Sequence, residues 1–163
     1  INALAASRDL NLPLLANIET SNKLHIERAI SWLESLGRHS VGFVGLAFKE
    51  ETDDLRESPL VQVAEWAVGR GYPIQIYDPW VRPDQLTGAN REYIQQHLPH
   101  LYERLRTDLG DLVAQSQSLI VGTSLLSPEE KQAIAAAKMP LLDLVGQDGQ
   151  LAVDSGVYEG ICW

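Results

Sequence analysis

The sequence holds one cysteine, one methionine and two phenylalanines in 163 residues, and its 13 basic residues are outnumbered by 22 acidic ones. The lone thiol, Cys162, excludes an internal disulfide and fits a reducing, cytoplasmic compartment. The lone methionine is Met139, so Ile1 is no natural start and the chain reads as a piece of a longer protein. A formal charge of −9 repels nucleic-acid phosphates and anionic membrane surfaces, and neither is expected as a partner. No apolar run reaches the ~20 residues of a membrane span, and no signal peptide opens the chain. What is present is a 45% hydrophobic content, enough for one domain with a real core.

The chain is organised around Val41 to Pro59, VGFVGLAFKEETDDLRESP. Val41, Phe43, Val44, Leu46, Ala47 and Phe48 make a nearly unbroken apolar run, as expected of a strand covered on both faces and lying mid-sheet. Gly42 and Gly45 lack Cβ atoms, so another backbone or a ligand can approach there. Ser58 offers its hydroxyl as a helix N-cap, and Pro59 suits the first helical position. Strand, loop and helix in that order predict free N–H groups at a crevice that suits an anion.

Residues 1–11 read as the remainder of a helix, and a second helical pattern runs from Pro13 through Leu36, with Gly37 as its stop. This long helix has no obvious partner within a small α/β domain. It is expected to pack on another domain or a second copy of the chain, or to be an ordinary layer helix. Further on, the spacing predicts helices over Pro59–Gly69, Arg91–Leu98, Asp108–Gln115 and Pro128–Lys138. Strands are predicted at Tyr72–Tyr77, at an edge within Leu101–Thr107, at Ser118–Gly122 and, as the last one, at Leu141–Val145; the tail beyond Gly146 reads as irregular. The alternation gives an α/β fold, a doubly wound parallel sheet with helices on both faces. The domain division is 1–38, helical linker or dimerisation region, and 39–163, the sheet domain.

Lys49 stands at the C-terminal end of the first strand, where open α/β sheets bind ligands. It serves there as a donor to a phosphate or sugar hydroxyl, or it is a solvated loop lysine; position alone does not separate the two. Arg56 shares its loop with Glu50, Glu51, Asp53, Asp54 and Glu57, and is either an internal salt-bridge partner or a phosphate fork. The acids lack the spacing of a calcium loop, and no metal is expected. Asp78 ends the second strand, where an acid can hold a ribose hydroxyl, yet it lies 33 residues after Gly45 rather than the usual ~20. A turn residue before Pro79 is the competing reading. His97 and His100 flank Leu98-Pro99 and are read as structural or surface groups. Cys162 has no neighbour that would lower its pKa and is not a candidate nucleophile. No catalytic residue is assigned.

GLAFKEETDDLRESP, together with GANREYIQQHLPH and the closing EGICW, resembles the C-terminal part of the UDP-glucose/GDP-mannose dehydrogenase family, nearest the branch that oxidises GDP-mannose. The resemblance covers nearly the whole chain. It implies a Rossmann-like nucleotide-sugar-binding domain preceded by part of a central dimerisation region, and hence a homodimer through the leading helix. It implies an enzyme that oxidises the primary alcohol of a nucleotide sugar to a carboxylate by two hydride transfers to NAD, with a thiohemiacetal on a cysteine between them. By motif, Phe48 and Lys49 would contact substrate and Arg56 would contact NAD across a cleft. The family's N-terminal NAD domain and its cysteine have no counterpart in this sequence, so the chain alone is expected to be inactive. A UDP-glucose-oxidising enzyme, a non-catalytic nucleotide-binding module and an assembly domain are the alternatives.

Overall fold

A computed structural model describes residues 12–47, 49, 51–146, 151 and 158–160. The helix expected over 1–11, Phe48, Glu50 and Cys162 lie outside the described residues. Six strands form one parallel sheet in the order β3-β2-β1-β4-β5-β6. They are β1 (Val41–Val44), β2 (Ile74–Tyr77), β3 (Leu105–Arg106), β4 (Ser118–Val121), β5 (Leu141–Asp143) and β6 (Tyr158–Gly160). The helices are α1 (Pro13–Ser35), α2 (Pro59–Gly69), α3 (Gly88–His97), α4 (Pro99–Tyr102), α5 (Leu109–Gln115) and α6 (Pro128–Ala136). As expected, β1 lies inside the sheet, with Phe43 opposite Ile76 on one side and Ile120 on the other.

Side chains alternate across β1 because the strand period is two. Val41 and Phe43 join the core with Ala29, Trp32 and Leu33 of α1 and Val63, Ala64 and Ala67 of α2. Val44 joins the opposite core with Leu109 and Leu112 of α5 and Ile134 of α6. Full burial of residues such as Phe43 or Leu33 contributes about 1.5–3 kcal/mol each. Gly42 faces the same side as Val44. A Cβ there would stand 2.5 Å from Leu112 Cδ2, so packing side chains, not a ligand, use its missing atom. Among the described side chains of α1 it is those of the second half that pack this way: Ile18 and Leu24 are exposed.

Several expectations need correction. The tail contains a sixth strand, β6, paired with β5 from Leu141↔Tyr158 to Asp143↔Gly160. Three residues carry no periodic signal, so pairing alone reveals it. The edge strand expected within Leu101–Thr107 is present as Leu105–Arg106, preceded by a helical turn, α4, that the sequence reading did not include. The N-cap position of α2 is indeed Ser58, but its hydroxyl caps nothing. It donates to Leu46 O at 2.8 Å, tying the far end of the 46–58 loop to its start.

Asp78 closes that loop from the other side. It is 2% exposed and accepts four backbone N–H bonds. Oδ2 takes Leu46 N at 2.6 Å and Ala47 N at 2.9 Å; Oδ1 takes Trp80 N at 2.8 Å and Val81 N at 3.1 Å. The turn reading of Asp78 therefore stands, and its carboxylate has no acceptor atom left over from these four amides. The amides of Leu46 and Ala47 face this acid and are not the free crevice donors expected from the strand–loop–helix order.

Behind the same strand end, the Tyr77 hydroxyl donates to Glu130 Oε1. Glu130 also completes the capping box of α6, its Oε2 accepting from Ser127 N at 2.8 Å. Burial, then the bond to Glu130, raise the Tyr77 pKa well above that of a free phenol.

Two outcomes follow for stability. Asp78→Ala strands the buried amides of Leu46 and Val81, and urea unfolding should show a loss of about 3 kcal/mol or more; Asp78→Asn, which keeps one acceptor oxygen, should lose less. The raised Tyr77 pKa means the folded state holds the phenolic proton more tightly than the unfolded chain. Its contribution is complete below about pH 10 and falls away as pH rises beyond it. The gap between the urea midpoints of the parent and Tyr77→Phe should narrow between about pH 9 and pH 11; a constant gap would count against the Tyr77–Glu130 bond.

Candidate functional site

The strand order reverses direction between β1 and β4, and the crevice beyond their C-terminal ends is the ligand-binding position of an open parallel sheet. Two glycines form its floor. Gly45 has φ +86°, a conformation few residues other than glycine adopt, and its N–H donates to Tyr77 O at 2.7 Å. A Cβ at Gly45 would fall 2.9 Å from Thr123 N; one at Gly122 would fall 1.9 Å from Leu60 Cδ1 and 3.3 Å from Gly45 O. The two strand ends thus touch backbone to backbone, with the α2 start pressed onto them.

Above this floor lies a small hollow of about 20 Å³ lined by Gly45, Ala47, Lys49, Asp78, Trp80, Gly122 and Thr123. Lys49, which β1 was expected to deliver to the mouth of a cleft, is exposed and lines this hollow. Ala47 and Gly122 also border a larger, mostly apolar hollow of about 260 Å³. Its other walls are His25, Ile26 and Ala29 of α1, Ser58 to Leu60 and Val63 at the start of α2, and Leu144 and Val145 after β5.

Arg56 takes the salt-bridge role among its two readings. Nε and Nη2 clasp Asp54 at 2.7 and 3.0 Å, and Nη2 also donates to Asn90 Oδ1 at 3.2 Å. Asn90 Nδ2 in turn donates to Asp53 Oδ1 at 2.5 Å, so one α3 amide joins both halves of the acid loop. The guanidinium stands 5.8 Å from the Tyr93 ring, and His97 stacks on the other partner of that pair at 4.5 Å. The hydrogen bond from Arg56 holds the Asp54 carboxyl below its usual range, and the Lys49 charge adds to this. Half of the Arg56 side chain still faces solvent. The phosphate-fork role is thus neither used up nor displayed.

The remaining candidates are structural. Asp53 and Asp54 are occupied as described, and among the described residues no three acidic, histidine or cysteine groups are arranged to hold a metal. His97 Nδ1 donates to Tyr93 O at 3.1 Å, and His100 Nε2 lies 3.3 Å from Glu65 Oε1. No helix among the described residues is long and apolar enough to cross a membrane. Sequence reasoning missed Asn90, Thr123 and Trp80. Only Trp80 carried a signal: a large aromatic in an Asp-Pro turn at a strand's C-terminal end.

The family model for the UDP-binding domain of the UDP-glucose/GDP-mannose dehydrogenase family matches residues 42–124, which run from β1 to just beyond β4 and contain every wall of the smaller hollow. A GDP-mannose 6-dehydrogenase from Pseudomonas syringae pv. syringae is 36% identical over 98% of this chain. A crystal structure of a ternary complex of GDP-mannose dehydrogenase from Pseudomonas aeruginosa superposes with a TM-score of 0.84 at 35% identity, covering 99% of this chain. The fold also matches a UDP-glucose dehydrogenase from Pyrobaculum islandicum, with a TM-score of 0.70 at 23% identity over 99% of this chain and 35% of that one. The chain spans only 36% of the length of the Pseudomonas syringae relative and 37% of the Pseudomonas aeruginosa structure. It belongs to the UDP-glucose/GDP-mannose dehydrogenase family, and the part it carries includes that family's UDP-binding domain.

Proposed function

We propose that this chain is the nucleotide-sugar-binding part of an NAD-dependent dehydrogenase that oxidises GDP-mannose to GDP-mannuronate, an activated uronic sugar for polysaccharide biosynthesis. The observation that carries the reading is Lys49 on the wall of the hollow at the switch point, in a segment that the family model spans. The likeness to GDP-mannose 6-dehydrogenases over 98% of the chain favours guanine and mannose over uracil and glucose.

In this reading Lys49 supplies a positive charge and hydrogen-bond donors to the diphosphate or the sugar hydroxyls, and Phe48 lies against the same ligand. β1 and the Asp78 clamp hold the backbone that leads up to Lys49. NAD supplies the hydride acceptor. Of this chain's residues, Arg56 fits it: the guanidinium is oriented by Asp54 and Asn90 yet keeps an exposed face for a phosphate. The nucleotide-binding domain and the thiol nucleophile belong to other parts of the whole enzyme, so this chain by itself is inactive. The boundary lies at residues 38–39, after the Gly37 turn that ends α1. The exposed Ile18 and Leu24 support a homodimer through α1, and the single cysteine supports a cytoplasmic setting.

Steady-state kinetics of the whole dehydrogenase test these roles. Lys49→Ala removes a charge-assisted contact of about 1.5–3 kcal/mol and should lower kcat/KM for the nucleotide sugar by roughly tenfold or more. Arg56→Ala should raise the KM for NAD with a smaller effect on the sugar. Unchanged sugar kinetics in Lys49→Ala would remove the central assignment.

A further inference from the structure

Trp80 is 46% exposed and is the sole aromatic among the large exposed apolar side chains of the described residues. Leaving an indole in water forgoes apolar burial, yet its backbone is among the most firmly held in the loop region. The Trp80 amide donates to Asp78 Oδ1 at 2.8 Å, and the next residue, Val81, is fully buried with its own amide on the same oxygen at 3.1 Å. The indole Nε1 has no hydrogen-bond partner among the described residues. A rigidly mounted, half-exposed aromatic loses little conformational entropy when something lies on it.

Its position gives that surface a purpose. Trp80 and Lys49 line the same hollow, whose volume of about 20 Å³ admits a water molecule but no sugar or base. A ligand at this point must lie across the mouth, against the rim. The glycine floor keeps the rim low, so the large side chains on the rim that such a ligand meets are Trp80 and Lys49, with the smaller Thr123 beside them. A pyranose matches both: its C–H face packs on an aromatic ring, and its hydroxyl edge accepts from an ammonium or an indole N–H. A nucleobase could stack on the ring, but reading its edge requires a fixed donor–acceptor pair. No Asn, Gln or Arg lines the hollow, and both oxygens of Asp78 are engaged with backbone amides.

We propose that Trp80 is the platform on which the hexose of the nucleotide sugar packs, beside Lys49, making residue 80 a determinant of sugar selection. This rests on the nucleotide-sugar reading above and adds a residue to it.

Calorimetric titration of the whole dehydrogenase, without NAD so that no turnover occurs, with GDP-mannose, UDP-glucose and GDP tests it, with circular dichroism to confirm that each variant is folded. Trp80→Ala should weaken GDP-mannose binding about tenfold, or about 1.4 kcal/mol, and leave GDP binding unchanged, because GDP carries no hexose. Trp80→Phe should recover part of the loss. An equal loss for GDP and GDP-mannose would overturn the hexose assignment by placing the ring under the nucleotide. Unaltered GDP-mannose affinity in Trp80→Ala, with Lys49→Ala weakened, would overturn the platform and leave the nucleotide-sugar reading intact. A parent enzyme that takes up neither nucleotide sugar would overturn both.

Discussion

The carboxylate of Asp78 is the interaction on which the rest of this site depends. Parallel strands end in a row of amides with no strand partner, and at the crevice those amides are where a ligand would come. Asp78 satisfies four of them, two from the segment leaving β1 and two from the turn leaving β2. Because one buried side chain holds both segments, the backbone at Leu46 and Ala47 is tied to that at Trp80 and Val81, and Lys49 follows two residues further along the first of them. The ligand-facing groups are thereby side chains, while the backbone beneath them is already paired. A phosphate cradle made of loop amides is excluded at Leu46 and Ala47.

The same device recurs across the sheet. Asp143, at the end of β5, is fully buried; its Oδ1 accepts Val145 N at 2.9 Å and Gly146 N at 3.0 Å, and its Oδ2 accepts the Tyr158 hydroxyl at 2.8 Å. In both cases one oxygen closes a turn in its own strand's exit, and the other reaches to a neighbouring segment. For Asp143 that neighbour is β6, the strand invisible to periodicity. A three-residue edge strand has few ladder bonds, and the half-buried bond from Tyr158 adds a side-chain anchor. The two acids thus do at the C-terminal edge what caps do for helices, and they leave Leu144 and Val145 facing the larger hollow in a defined turn.

The sequence carried the parallel sheet, the central place of β1, the stop at Gly37 and the Asp108 cap, because apolar runs and Gly or Asx punctuation are local signals. The cap at Asp108 is seen directly, with Oδ1 accepting from Asp111 N at 2.8 Å. Ser58 misled because a hydroxyl at an N-cap position reads the same whether it turns inward to Leu46 O or onto its own helix. Asn90 was illegible for a similar reason: it acts on Asp53 and Arg56 more than thirty residues earlier in the chain, and nothing local distinguishes it from a surface amide. Lys49 was visible alone, while Trp80 was not singled out although a large aromatic in an Asp-Pro turn is a local signal. Their pairing at one hollow is a product of strand order, which places the exits of β1 and β2 side by side.

An acidic chain of net charge −9 has also to admit an anionic ligand. Long-range repulsion is screened within about 8 Å at physiological salt, so what matters is the charge within that distance of the crevice. The acid loop neutralises itself there. Asp54 is taken by Arg56, and Asp53 is tied to the Asn90 amide, so these two acids are engaged with α3 and its neighbours rather than spread over the mouth. Asp78, the acid on the hollow's own wall, spends both oxygens on backbone amides, whose dipoles offset its charge. Asp53 and Asp54 are compatible with an anion site because each has a donor. Losing those donors would release negative charge toward the ligand even though no ligand contact had been removed. On this view Asp53, Asp54 and the Lys49 site form one electrostatic unit, and α3 belongs to that unit through Asn90 although none of its residues lines the hollow.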